Sequence, residues 1–298
     1  MFGTRNRRRR QRQGTQPYAG PIESLPMLCC LTTKHFWQLK LCQPPTNDII
    51  LVGNSRVYLG LSPHHMSKAC GKQKIFNFGF VACSLDRRYL EHAVSLLDMD
   101  SKKPTLVLGL CPHTLMPSSA TNGYSYWSSQ GHFERKDILR QILRDNLSGK
   151  ALLKTNARNA LNLSRGLPLN HYFADGWEAC LPVHKQPEKY GQAAEKLVRL
   201  RQVNQHLVDE FLELVVEFHQ RGIAVFAYRP PSDDRLREVE EDHSGLDYQD
   251  MADRFKQAGG VWLDINPQAY QTYDGAHLDY RNAIRLSQEV GRYLRNLI

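Results

Sequence analysis

The chain has 298 residues, of which 41% are hydrophobic and 23% charged, with a formal net charge of +9. A chain of this length buries roughly three-quarters of the surface its unfolded form exposes, and the composition is that of an ordinary globular protein, which excludes collagen-like, fibrous and wholly disordered classes. The charge is not spread evenly. Arg5, Arg7, Arg8, Arg9, Arg10 and Arg12 stand together, the segment 1–47 holds +7, and residues 48–298 hold +2. The basicity therefore belongs to a tail. A near-neutral body argues against a nucleic-acid partner, and the arm reads as solvated, with contact to an anionic membrane surface as its functional expectation.

Seven cysteines make an odd count without a C-x-x-C pair, which argues against a disulfide framework and a structural zinc site. His64, His65, His113, His171 and His184 show no metal-ligand spacing, no G-x-G-x-x-G is present, and Gly149-Lys150 lacks the rest of a phosphate loop. Neither metal nor cofactor is expected. No run approaches the 18 or more apolar residues of a membrane span, so the sequence reads as soluble as written.

In chain order, residues 1–47 are rich in Arg, Gln, Pro and Thr with weak periodicity and read as a basic, disordered extension. The folded unit is expected over 48–298. Short apolar runs alternate there with segments of helical period, the pattern of a parallel sheet wrapped by helices. Strands are expected at 49–52, 74–78, 105–110, 224–228 and 261–265, and helices at 88–97, 135–146, 191–220, 247–258 and 280–297. The expected fold class is α/β: a three-layer α/β/α sandwich around a five-stranded, mainly parallel sheet. The stretch 112–189 has no legible topology and reads as an insertion. Within it, Asp175-Gly176-Trp177 reads as a turn with a packing tryptophan.

The first strand runs straight into Gly53-Asn54-Ser55-Arg56, placing a serine on a tight turn at the carboxyl end of a parallel strand, where open α/β sheets bind their ligands. A serine hydroxyl needs a base to take its proton, and that base needs a carboxylate to orient it. Asp274-Gly275-Ala276-His277 precedes the last helix and supplies both, with the carboxylate able to accept the Nδ1 proton and leave Nε2 for the serine.

These blocks resemble the SGNH (GDSL-like) hydrolases. G-N-S at 53–55 is similar to their G-D-S, and D-G-A-H at 274–277 matches their D-x-x-H. Asn77-Phe78-Gly79-Phe80-Val81-Ala82 resembles the block that supplies a backbone oxyanion donor, and Gly109-Leu110-Cys111-Pro112 stands where the family has G-x-N-D. The resemblance spans roughly 48–110 and 220–298 and implies the flavodoxin-like SGNH fold. It implies Ser55, Asp274 and His277 as catalytic residues and an acyl-ester substrate. The wording G-N-S-R-V-Y-L-G-L-S-P, Y-R-P-P at 228–231 and D-G-A-H-L-D-Y is similar to the DltD-like branch. That implies acyl groups on a cell-envelope carbohydrate or polymer, and a location at the envelope or its membrane.

Two positions depart from the family. Its asparagine donor falls on Cys111, whose thiol donates weakly, and its second-block glycine falls on Ala82. Loss of one such donor costs about 10²- to 10³-fold in rate. Asn54, Gly79, Ala82, Cys111 and Arg229 are the candidate oxyanion or substrate-binding residues, with His113 a further substitute donor. Arg229, just past the fourth strand, reads either as an ion pair or as an anion-binding guanidinium. The sequence leaves open an esterase, an O-acyltransferase, and a catalytically inactive envelope scaffold of the same fold, and it leaves open the oligomeric state.

Overall fold

The computed structural model describes residues 31–181 and 201–297, together with positions 192, 195, 196, 198 and 199. Cys29, Cys30 and the arginine arm lie outside the described residues. The chain forms a five-stranded, all-parallel sheet flanked by helices, in the order β2-β1-β3-β6-β7, with β1 at Ile49–Val52, β2 at Ile75–Asn77, β3 at Thr105–Gly109, β6 at Ala224–Tyr228 and β7 at Val261–Trp262. A separate antiparallel hairpin is made by β4 (Leu169–Tyr172) and β5 (Glu178–Leu181).

The strands read as continuous apolar runs because helices cover both faces of the sheet. Along β1, Ile50 and Val52 join one hydrophobic cluster and Ile49 and Leu51 the other. The first cluster holds helices α1 (Thr33–Leu41), α4 (Arg87–Val94), α8 (Gln205–Gln220) and α10 (Tyr248–Gln257). The second is built mainly from α3 (Pro63–Cys70) and α11 (Tyr280–Leu297). Helix α11 buries Ala283, Leu286, Val290 and Leu294, a three-and-four spacing that keeps one stripe inward. At Gly291 a Cβ would stand 2.7 Å from the Met66 carbonyl, so the absence of a side chain permits the approach of α3.

Several expectations change against this frame. The segment 1–47 is not wholly an extension: α1 is capped by Thr32, whose hydroxyl accepts from the His35 amide, and Phe36, Trp37, Leu39 and Lys40 are buried. The folded unit therefore begins before Asp48. The expected helix over 191–220 is described as α8 only from Gln205, because 201–204 is non-helical and Asn204 caps the new start. Positions 192, 195, 196, 198 and 199 are helical, and the rest of 191–200 lies outside the described residues.

The insertion resolves into a short helix α5 (Gly123–Ser128), helices α6 (Arg135–Leu147) and α7 (Lys150–Ser164) and the hairpin, with 182–189 outside the described residues. The remaining helices are α2 (Ser55–Tyr58) and α9 (Asp234–His243). The Asp175-Gly176-Trp177 turn docks on the sheet edge: the Asn77 amide donates to the Asp175 carbonyl at 2.9 Å, and the buried Trp177 indole donates to the Leu59 carbonyl at 3.0 Å.

Helix α1 carries a measurable share of the core. Phe36 stacks on Tyr172 at 4.6 Å between ring centroids and meets Trp37 edge-on. Phe36→Ala is expected to lower unfolding stability by about 3–5 kcal/mol; a urea midpoint unchanged from the parent would place α1 outside the cooperative core.

Candidate active site

The turn after β1 is set by its own backbone. Gly53 takes φ +150°, and a Cβ there would stand 2.5 Å from a Val57 methyl, so glycine is required for the chain to double back into α2. Asn54 then caps α2, its Oδ1 accepting from the Arg56 amide at 3.0 Å. Ser55 follows as the first helical residue. Its own amide has no intrahelical acceptor at that position.

The loop between β7 and α11 delivers the other two groups. His277 Nε2 stands 2.7 Å from Ser55 Oγ, and His277 Nδ1 stands 2.8 Å from Asp274 Oδ2. Asp274 is buried, and its Oδ1 accepts from the Ala276 amide at 3.1 Å and the His277 amide at 2.8 Å. Burial pushes the Asp274 carboxyl upward, but the bonds from the His277 ring and these two amides outweigh it and hold the carboxyl below its ordinary value. Asp274 is thus an ionised acceptor for the Nδ1 proton, and the tautomer that follows presents an unprotonated Nε2 to the serine hydroxyl. Tyr273 donates its amide to the His277 carbonyl at 2.9 Å and lays its ring over the imidazole. The Gly275 carbonyl is held in turn by the Asp233 amide at the start of α9, at 2.9 Å.

The candidate oxyanion residues separate into two groups. The side-chain NH2 of Asn54 commits one of its two hydrogens to the Cys111 sulfur at 3.2 Å, and the Gly79 amide is occupied internally, donating to Asn77 Oδ1 at 2.9 Å. Cys111 is fully buried; burial pushes its thiol up and the charge of Arg56 works against that push. Ala82 takes φ +48°, the left-handed region that glycine enters freely, which accounts for a glycine preference at this turn. Arg229 is drawn into ion pairs, 2.6 Å to Glu241 and 3.6 Å to Glu240, and covers the Tyr248 ring at 3.8 Å. His113 is half-buried and pushed down to about 4, first by burial and then by the charges of Arg56 and Arg201. It is neutral at pH 7.

Three residues outside these candidates hold the two turns in register. Tyr89, fully buried, donates its hydroxyl to the Phe78 carbonyl at 2.7 Å and receives the Gly53 amide at 3.2 Å. Asn77 donates to the Val57 and Leu61 carbonyls at 3.0 and 2.8 Å and so fixes the far end of α2. Lys40, with no exposed surface, donates to the Gly79 carbonyl at 2.7 Å from inside a cage of Phe36, Trp37, Tyr58 and Phe80. A buried ammonium costs several kcal/mol unless it is paired, and each desolvated cation–π contact returns up to about 2 kcal/mol. Burial holds Lys40 well below the usual lysine range, with Glu178 and Asp175 pulling the other way.

The same burial raises Asp175 to about 6 and Glu178 to about 7. Among the described residues no cluster of three or more His, Cys, Asp or Glu could hold a metal ion, and no helix is long and apolar enough to cross a membrane. A groove of about 320 Å³ between α8 and α10, lined by Val208, Leu246, Asp250 and Arg254, shares no residue with the Ser55–His277–Asp274 constellation. In comparisons with known proteins, no family model and no curated protein matches the chain.

Glu178 provides a test of this buried electrostatics. Its carboxyl is raised on folding, so the folded state holds a proton that the unfolded chain releases at a lower pH, and stability falls as pH rises from about 4.5 to 7. Glu178→Gln is expected to stabilise the protein at pH 8 by about 1–3 kcal/mol and to have little effect at pH 4. Urea unfolding at both values checks it, and an equal effect at the two would refute the assignment.

Proposed function

We propose that the chain is a serine-dependent esterase or O-acyltransferase of SGNH type, acting on an acyl ester, with a cell-envelope carbohydrate as the substrate class the family resemblance suggests. The observation that carries this reading is the unbroken Ser55–His277–Asp274 hydrogen-bond relay at 2.7 and 2.8 Å. It stands at the carboxyl edge of a parallel sheet with strand order β2-β1-β3-β6-β7, beside the point between β1 and β3 where connections diverge to opposite sides.

In this reaction His277 Nε2 takes the Ser55 proton as Oγ attacks the ester carbonyl. Asp274 stabilises the resulting imidazolium without taking the proton. The imidazolium returns that proton to the leaving alkoxide, and an acyl group remains on Ser55. Water or a sugar hydroxyl, deprotonated by the same imidazole, then removes the acyl group; the two outcomes use one base and differ only in which oxygen enters. The amides of Ser55 and Ala82 are the donors assigned to the developing oxyanion.

The sulfur at position 111 and its bond to Asn54 favour a second reading, a scaffold that retains the relay without turnover. The two are separable. The folded chain is expected to be labelled by a fluorophosphonate serine probe, with no labelling of Ser55→Ala, and Asp274→Asn is expected to slow p-nitrophenyl acetate hydrolysis roughly 10⁴-fold. A parent chain that resists the probe, or a Ser55→Ala variant labelled equally, would refute covalent catalysis.

A further inference from the structure

Beside Ser55 lies a group of charges that the acyl-transfer relay does not use. Arg56 and Glu240 are both buried, with their side chains 7% and 1% exposed, and Arg56 NH2 meets Glu240 Oε1 at 2.6 Å. Arg229, 14% exposed, reaches the other oxygen of Glu240 at 3.6 Å, a separation beyond a hydrogen bond. Its close partner is Glu241 at 2.6 Å, and Glu241 is half exposed to solvent. Two shielded guanidiniums are therefore held by one shielded and one half-exposed carboxylate, each in direct contact.

Not all of their donors are satisfied. Among the described residues Arg56 NH1 and Arg229 Nε and NH2 are buried without a hydrogen-bond partner. A buried donor left unpaired costs about 1–3 kcal/mol, and more when it is charged. The Tyr248 ring at 3.8 Å and Glu240 at 3.6 Å compensate Arg229 in part, but none of the three atoms has an acceptor within hydrogen-bond distance.

Their position in the chain says what that acceptor accompanies. Arg56 follows Ser55 directly, and Arg229 follows β6. Cys111 and His113, which follow β3, both lie within the electrostatic reach of Arg56. The two guanidiniums thus stand at the carboxyl edges of β1 and β6, with the uncharged Cys111 and His113 at the edge of β3 between them. The next helix, α9, carries Glu240 and is capped by Asp233, the residue that holds the Asp274–His277 loop through Gly275.

We infer that Arg56 and Arg229 form an oxyanion-binding subsite next to Ser55, which takes a carboxylate or phosphate carried by the substrate. The inference rests on the acyl-transfer reading above and narrows it to esters that bear an anionic group. Guanidinium suits either anion because its planar fork matches two oxygens at once. Glu241, which holds Arg229 from the solvent side, acts as an internal competitor that the bound anion displaces.

Calorimetric titration of the full chain carrying Ser55→Ala tests the subsite without chemistry, using inorganic phosphate in one series and succinate in the other. One of the two is expected to bind at one site per chain, weakening with added salt, and the stronger of the two names the anion. Adding Arg229→Gln is expected to reduce the affinity about tenfold or more. Adding Glu241→Gln, a change at a half-exposed position, is expected to raise it about two- to fivefold.

Failure of both anions to bind, or indifference to both substitutions, overturns the subsite, and near-UV circular dichroism of each variant separates lost binding from lost fold. The outcome is independent of the fluorophosphonate result. Labelling without anion binding would remove the subsite and leave the enzyme, and anion binding without labelling would remove the catalytic reading and leave an anion site.

Discussion

The arrangement depends on one backbone contact, the hydrogen bond from the Phe80 amide to the Gly53 carbonyl at 3.0 Å. It joins the turn after β1 to the turn after β2, beyond the point where the parallel ladder itself stops at Leu51 and Asn77. Tyr89, which bridges Gly53 and Phe78, and Asn77, which donates to the Val57 carbonyl, reinforce the same junction. The Gly53 amide also donates to the Tyr89 hydroxyl at 3.2 Å, and the Gly79 carbonyl, on the other side of the peptide that carries the Phe80 amide, accepts from Lys40 at 2.7 Å. The peptide between Gly79 and Phe80 is therefore bound at both of its polar atoms, and bonds in such a chain reinforce one another. The position of Ser55 follows from a network that reaches back to the first helix.

That network explains why a lysine is tolerated in the interior. The Lys40 Nζ finds a backbone acceptor in the Gly79 carbonyl, and the four aromatic rings around it exclude water that would otherwise compete for that bond. The hairpin completes the enclosure: Asp175 and Glu178 lie close enough to Lys40 for each charge to alter the other's titration. The turn of the hairpin thus supports the serine turn from behind, through the Asp175 carbonyl on Asn77 and Trp177 on Leu59.

The legible part of the molecule was the part governed by local pattern. The strand at 224–228 and the helix at 280–297 coincide with β6 and α11, and the sheet class follows from apolar runs that only a doubly covered parallel sheet accommodates. The proximity of Ser55, Asp274 and His277 was foreshadowed by a serine turn after one strand and a carboxylate and imidazole three residues apart before a helix. Lys40 gave no such signal, because a cation within an aromatic helix is indistinguishable in sequence from a surface residue until the rings close around it. Tyr89 and Asn77 were equally hidden, since their bonds run to backbone atoms that sequence does not mark. The end of β7 was overestimated for a related reason: 261–265 is mostly apolar, but as the last strand it pairs on one side only, and just two residues remain in the ladder.

Arg229 and Cys111 show how tertiary placement decides between readings that sequence leaves level. As isolated residues they are an edge guanidinium and a poor donor. In the fold they belong to one cluster, because Cys111 takes one side-chain amide hydrogen of Asn54 while Arg56 crosses behind Ser55 to Glu240. The two residues that flank Ser55 therefore face different tasks. Asn54 closes the serine turn onto β3, and Arg56 ties the same turn to α9, the helix whose first residues hold the loop of Asp274 and His277. Ser55 and His277 are consequently positioned by a shared set of contacts: a shift of α9 would move the His277 loop through Gly275 and the Ser55 turn through Glu240 together. The 2.7 Å separation of Ser55 Oγ and His277 Nε2 is, in this respect, a property of the charge cluster as much as of the three residues in the relay.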